Sequence, residues 1–335
     1  MIVYSEPKSG NIPIVDLGAT FSGDRAARAA VATQIRTAAH DTGFFYVANH
    51  GIDRALVDGA FAQAERFFDQ PEAWKMALRK QPRTNGYEPL ETQRLDNASP
   101  GDLKESFNFS APQADGAPDV VTNLWPSDLP GFREGLDAYY QPMLRLGLHI
   151  SRLIALSLAM PEDFFDAGLR TPTAPLRLLR YPPQPADAQF NQIGAGAHTD
   201  WGWITLLAQD DRGGLEVETA AGDWVRAEPV PGTFVVNLGD LVKRWTNGLY
   251  HSNLHRVMNN RSGRNRHSMV LFYNPAYATY VECLPTCLAP GEQPKFPPCT
   301  SGEHTAQRYR DSRRHLGEAL SESRASSDAS RGTTM

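Results

Sequence analysis

Cysteine is scarce in this chain: Cys283, Cys287 and Cys299 are the only three among 335 residues. An odd, low count does not build a disulfide framework, and a reducing cytoplasm is the expected compartment. Cys283 and Cys287 stand four apart, but with no second pair they read as packing or free thiols rather than a metal knuckle. Long apolar runs are missing as well. No stretch approaches the roughly 18–20 residues that cross a bilayer, so no membrane partner is expected. The opening Met1–Gly10 lacks the basic-then-apolar order of a secretory leader, and none is expected. Excess positive charge is absent too: 33 Lys and Arg face 38 Asp and Glu, for a net charge of −5. A nucleic-acid partner would need clustered basic residues, so none is expected. No internal repeat is visible, and nothing in the composition bears on oligomeric state.

What is present is ordinary globular material, 41% hydrophobic and 21% charged, enough for a sizeable core. Ile12–Leu17 reads as a strand. Asp24 is placed to cap a helix reaching Asp41, with Ala27, Val31, Ile35 and Ala38 on one face. Gly43 ends it, Phe44–Val47 is strand-like, and a second helix is predicted over Arg54–Phe68. Residues 81–130 are rich in turn formers. Helices return at 131–158 and 161–168. From Leu176 onward, short branched runs separated by turns predict strands at Leu176–Tyr181, Ile204–Gln209, Leu215–Glu218, Trp224–Ala227, Thr233–Asn237, His255–Met258 and Ser268–Tyr273. The expected fold is mixed α/β, with a jelly-roll core flanked by N-terminal and central helices. We divide it into an N-terminal helical and strand region (1–130), a jelly-roll domain with leading helices (131–315) and a disordered tail (316–335).

The chemistry concentrates in the strand-rich part. His198 and Asp200 are two apart, so on extended chain both point to one side. His255 lies in another predicted strand. Two imidazoles and one carboxylate bind one face of a ferrous ion and leave the other for chemistry. There are nine histidines, and a His-x-Asp arises often by chance. His40, His149, His304 and His315 have no partner pattern and read as surface or helix residues. Downstream, Arg266 and Ser268 are also two apart. Guanidinium grips a carboxylate through a planar fork, and a hydroxyl adds a further donor. The bland alternative is a polar loop carrying Arg261, Arg264 and Arg266. Tyr181 offers a phenol to the same group. Trp201, Phe272, Tyr87 and Phe107 are candidate substrate walls, with core packing as the competing reading.

Taken in order, Ile12–Leu17, Gly43–Val47, Asn49-His50-Gly51, Lys104–Phe107, His198-Thr199-Asp200, Asn237–Asp240, His255-Arg256-Val257 and Arg266-x-Ser268 resemble the isopenicillin N synthase-like family of non-haem iron, 2-oxoglutarate-dependent dioxygenases over roughly residues 10–310. The resemblance implies a double-stranded β-helix core and iron held by His198, Asp200 and His255. It implies that Arg266, Ser268 and Tyr181 bind the far carboxylate of 2-oxoglutarate. Fe(II), 2-oxoglutarate and O2 are then the cofactor and cosubstrates, with ascorbate expected to support turnover. The reaction implied is hydroxylation, desaturation or ring closure of a small organic substrate, with succinate and CO2 released. Alternatives on the same residues are an oxidase needing no 2-oxo acid, an ethylene- or succinate-forming enzyme that consumes 2-oxoglutarate itself, and a non-catalytic small-molecule sensor. Plant members often carry asparagine two residues before the tyrosine. Leu179 stands there in this chain.

Overall fold

The structure is a computed structural model, and it describes residues 12–93, 101–111, 121–185, 192–219 and 221–312. The expected tail, 316–335, lies outside the described residues. The N-terminal part runs Ile14–Asp16 (β1), Arg25–Asp41 (α1), Phe44–Ala48 (β2), Arg54–Phe68 (α2), Glu72–Met76 (α3), Thr84–Asn85 (β3), Tyr87–Glu88 (β4), Glu105–Phe109 (β5) and Thr122–Asn123 (β6). Phe132–Ser157 (α4) and Asp166–Leu169 (α5) lead into Leu176–Tyr181 (β7), Ala195–His198 (β8), Ile204–Gln209 (β9), Leu215–Glu218 (β10), Trp224–Arg226 (β11) and Phe234–Leu238 (β12). Asp240–Trp245 (α6), His255–Val257 (β13), Arg266–Tyr273 (β14), Tyr280–Val281 (β15), Cys299–Thr300 (β16) and a helix over 301–312 complete the order.

Local chemistry explains the boundaries. Asp24 caps α1 by accepting from the backbone of Ala26 at 2.8 Å, which satisfies an otherwise orphaned donor. The helix buries Val31, Ile35 and Ala38 at helical spacing. It stops at Gly43, whose φ of +66° suits glycine and where a Cβ would meet the His251 carbonyl at 2.2 Å.

Two sheets face each other. The larger has eight strands in the order β1-β2-β12-β9-β14-β7-β5-β4, and the smaller has four in the order β11-β10-β13-β8. Strand alternation splits the apolar residues into two cores. On β14, Met269, Leu271 and Tyr273 join the core between the large sheet and α1, α2 and α4. Val270 and the partly buried Phe272 belong instead to the core between the two sheets, with Phe44, Leu179, Leu207, Leu215 and Val257. This is the double-sheet core anticipated. Strands from the predicted N-terminal region (β1, β2, β4, β5) and from the predicted jelly-roll region lie in one sheet. The expected helix at 161–168 is shorter and later: only Asp166–Leu169 is helical, because Phe165 packs its ring on Trp203 and Trp245 and holds the preceding residues as turns. Among the described residues no helix is long and apolar enough to cross a membrane. The three cysteines are free.

Candidate metal centre and its anchor

The smaller sheet sets His198, at the end of β8, beside His255 on the neighbouring β13 as register partners. Asp200 follows His198 in the loop toward β9. One donor atom from each of the three lies within 4.8 Å of the others. His198 Nε2 and His255 Nε2 stand 4.0 Å and 3.9 Å from Asp200 Oδ1, too far for hydrogen bonds and close enough to share one ion.

The surroundings orient each donor. His198 Nδ1 donates to the Gly196 carbonyl at 2.8 Å, and His255 Nδ1 lies 3.4 Å from that of Asn253. A proton on Nδ1 leaves the Nε2 lone pair facing inward, as a metal requires. Burial, followed by the neighbouring His255, pushes His198 far below the usual imidazole range, so it stays neutral. Asp200 Oδ2 accepts from Thr205 Oγ1 at 2.5 Å and from Asn237 Nδ2 at 2.7 Å. These bonds occupy one carboxylate oxygen and leave Oδ1 for the imidazoles. Burial works to raise Asp200, but His255 and His198, with the bonds from Asn237 and Thr205, hold it below its usual value. Two imidazoles and one carboxylate are the donor set that fits Fe(II).

The second anchor lies along β14. Arg266 is 2% exposed. Its Nε donates to the Gly213 carbonyl, its guanidinium stacks on Tyr181 at 4.6 Å, and its Nη1 is buried without a hydrogen-bond partner. Among the described residues no carboxylate pairs with it. A buried, unpaired guanidinium is costly, and an anion bound beside it removes that cost. Ser268 and Tyr181 line the cavity that also contains His198, Asp200 and His255. The residues present therefore fit both a ferrous ion and a 2-oxo diacid.

The four wall candidates separate. Phe272 lines this cavity. Tyr87 and Phe107 do not: both are fully buried in the helix-facing core, where the Tyr87 hydroxyl donates to Glu105 at 2.6 Å. Strand parity is the reason. Phe107 pairs with Leu178, which faces the helices, whereas its neighbours Ser106 and Asn108 pair with Leu179 and Arg177, which face the cavity. Trp201 is half-buried and lies outside the cavity lining. Its carbonyl accepts from His304 Nε2 at 3.0 Å, and Arg308 sits over its ring. His304 is therefore no idle surface residue. It ties the helix over 301–312 to the loop that carries Asp200. Sequence reasoning does not single out Thr205 or Arg177, and it takes Asn237 only as part of a motif with no role assigned. Thr205 and Arg177 are legible in principle from parity, but only the register shows what they face. A larger cavity, about 1060 Å³, lies elsewhere beside α2 and is lined by none of the three metal-binding candidates.

Comparison with known proteins agrees with this geometry. Residues 12–128 match the family described as non-haem dioxygenase in morphine synthesis N-terminal, and residues 172–275 match the 2OG-Fe(II) oxygenase superfamily. The 2-oxoglutarate-Fe(II) type oxidoreductase hxnY of Emericella nidulans is 38% identical over 315 residues, covering 90% of each chain. The 2-oxoglutarate-dependent dioxygenase citB of Monascus ruber is 37% identical, over 81% of this chain and 86% of its own. Among solved structures, a full-length Neurospora crassa protein in complex with alpha-KG superimposes with a TM-score of 0.81 at 30% identity, covering 89% of this chain and 95% of that one.

Proposed function

The chain belongs to the 2OG-Fe(II) oxygenase superfamily, and from that premise we propose that His198, Asp200 and His255 hold the iron while Arg266, Ser268 and Tyr181 hold the far carboxylate of 2-oxoglutarate. The enzyme is an Fe(II)- and 2-oxoglutarate-dependent oxidoreductase acting on a small organic molecule. When bound, iron and 2-oxoglutarate supply the O2-dependent oxidising chemistry that releases succinate and CO2. The protein's part is placement. Thr205 and Asn237 keep Asp200 turned to offer Oδ1, and the Gly196 carbonyl keeps His198 in the tautomer that offers Nε2. Arg266 and Tyr181 form a buried cationic end at which a diacid is oriented. Leu179, Leu207, Leu215, Val270 and Phe44 exclude water from the space between. We read the cytoplasm as its compartment, on the three free thiols.

The observation that carries the assignment is the convergence of the three donors within 4.8 Å. Asp200→Ala is expected to abolish Fe(II) binding, measured by calorimetry under anaerobic conditions, and with it succinate formation. Retained metal affinity and turnover would remove Asp200 from the ligand set.

A further inference from the structure

One end of the cavity takes no part in holding iron or 2-oxoglutarate. Along β14, Ser268, Val270 and Phe272 line the cavity, and Arg266 lies on the same face of the strand just beyond Ser268. The register sets Arg266 opposite Tyr181 and Val270 opposite Arg177 on β7, and sets Phe272 opposite Thr205 on β9. At about 3.3 Å per residue, Val270 lies roughly 13 Å along the strand from Arg266. Thr205 holds Asp200, so the Phe272 end adjoins the metal ligands and the Arg266 end is remote. A five-carbon diacid bound between Arg266 and the metal ligands has no carboxylate left for Arg177.

Arg177 is nonetheless a cavity-lining cation, and its side chain is 23% exposed. It is held rigidly. Nε donates to Asn108 Oδ1 at 2.7 Å and Nη1 to Gln93 Oε1 at 3.3 Å, while Nη2 lies 3.6 Å from Glu88. The guanidinium rests on the Phe272 ring at 5.7 Å. Five N–H donors exceed those contacts. Glu88 does not neutralise the group fully, because the same carboxylate also pairs with Lys80 at 3.3 Å. One anion between two cations leaves net positive charge beside an apolar cavity. Lys104, the other basic residue in the lining, is matched one to one by Asp102 at 2.8 Å. The unbalanced charge therefore sits on the Arg177 side.

We propose that Arg177 and Phe272 form the subsite for the primary substrate, and that this substrate is a small organic carboxylic acid. Its carboxylate lies on the Arg177 fork, and its apolar body lies along Phe272, Val270 and Leu207 toward the three metal ligands. The proposal rests on the reading of the metal centre given above.

The test uses the full-length enzyme loaded with Fe(II) and 2-oxoglutarate under anaerobic conditions. Binding of benzoate, cinnamate and hexanoate, and of their neutral amides, is measured by calorimetry. At least one acid is expected to bind, with its amide weaker by about tenfold or more, as for loss of a charge-assisted hydrogen bond. Arg177→Gln is expected to remove that preference and leave 2-oxoglutarate affinity unchanged. The proposal is overturned if no acid binds, if acids and amides bind alike, if Arg177→Gln keeps its acid affinity, or if it loses 2-oxoglutarate instead. Should Arg177→Gln fail to fold, Arg177→Lys replaces it: weakened acid binding supports the subsite, and undiminished binding overturns it. Failure of the wild type to bind 2-oxoglutarate, measured before any acid is added, is a separate result that sinks the metal-centre reading itself.

Discussion

Arg266 shows how much one residue's setting adds to its identity. Its sequence neighbour Ser268 suggests a carboxylate anchor, but two other arginines nearby are equally plausible by type. Burial at 2% exposure, an unpartnered Nη1 and a tyrosine ring beneath the guanidinium separate it from them. Lysine offers a point charge in place of a planar fork. Arg266→Lys is therefore expected to raise the KM for 2-oxoglutarate by about tenfold, read by succinate release, and an unchanged KM would remove Arg266 from the site. Glu88 gives a pH prediction. Burial works to raise its carboxyl, but Arg177 and Lys80, with hydrogen bonds from Asn108 and Ser106, hold it down at about 2 against an ordinary value of 4.5. A depressed carboxylate contributes stability above its unfolded-state value and loses that contribution as pH falls through its folded value. The melting temperatures of wild type and Glu88→Gln should differ fully above pH 4.5 and converge as pH falls toward about 2. A gap that persists at the acid end would show that the carboxylate's charge is not its cause.

At the scale of elements, the strands act as a two-sided ruler. β14 presents Met269, Leu271 and Tyr273 to the helices and Ser268, Val270 and Phe272 to the cavity. A slip of one residue would exchange the two sets. Pairing with β7 and β9 holds β14 in register, and α4 packs on its helix-facing side; the contact is close at Gly147, where a Cβ would fall 2.7 Å from Tyr273 Cγ. Gly147→Val forces that buried ring or the helix to move. A loss of about 1–3 kcal/mol in stability is expected, the usual range for overpacking, seen as a lower denaturation midpoint. A midpoint equal to wild type would mean that α4 and β14 are not tightly coupled. The same alternation explains why the aromatic residues of β4 and β5 mislead when read from sequence. Tyr87 and Phe107 are attractive cavity walls by type, yet their parity places them against α2 and α4 while Ser106 and Asn108 face inward. Ser106 and Asn108 alternate with Phe107 and Phe109, but β5 is buried on both faces, so the alternation alone does not say which face meets the cavity.

Across the whole molecule, the N-terminal stretch completes the sheet on which the site is built. β1, β2, β4 and β5 form four of the eight strands of the large sheet, and α1 and α2 cover its outer face. The full chain is expected to unfold in one cooperative transition. A fragment of residues 131–335, lacking those strands, should show no cooperative melt by circular dichroism; a cooperative fragment would establish two independent units. The helix over 301–312 adds a second long-range tie, through His304 to the Trp201 carbonyl and Arg308 to Asp240 at 3.1 Å. The order of motifs by itself pointed to the class of fold, to His198, Asp200 and His255 as candidate ligands and to Arg266 and Ser268 as a candidate anchor, because each motif is a short-range pattern whose periodicity survives in one dimension. Which side chains share a cavity was decided only by the tertiary structure. Strand register and the packing of one sheet on another are long-range pairings, and they alone set Arg177 against Phe272, turned Tyr87 and Phe107 away, and placed Thr205 and Asn237 on the back of Asp200.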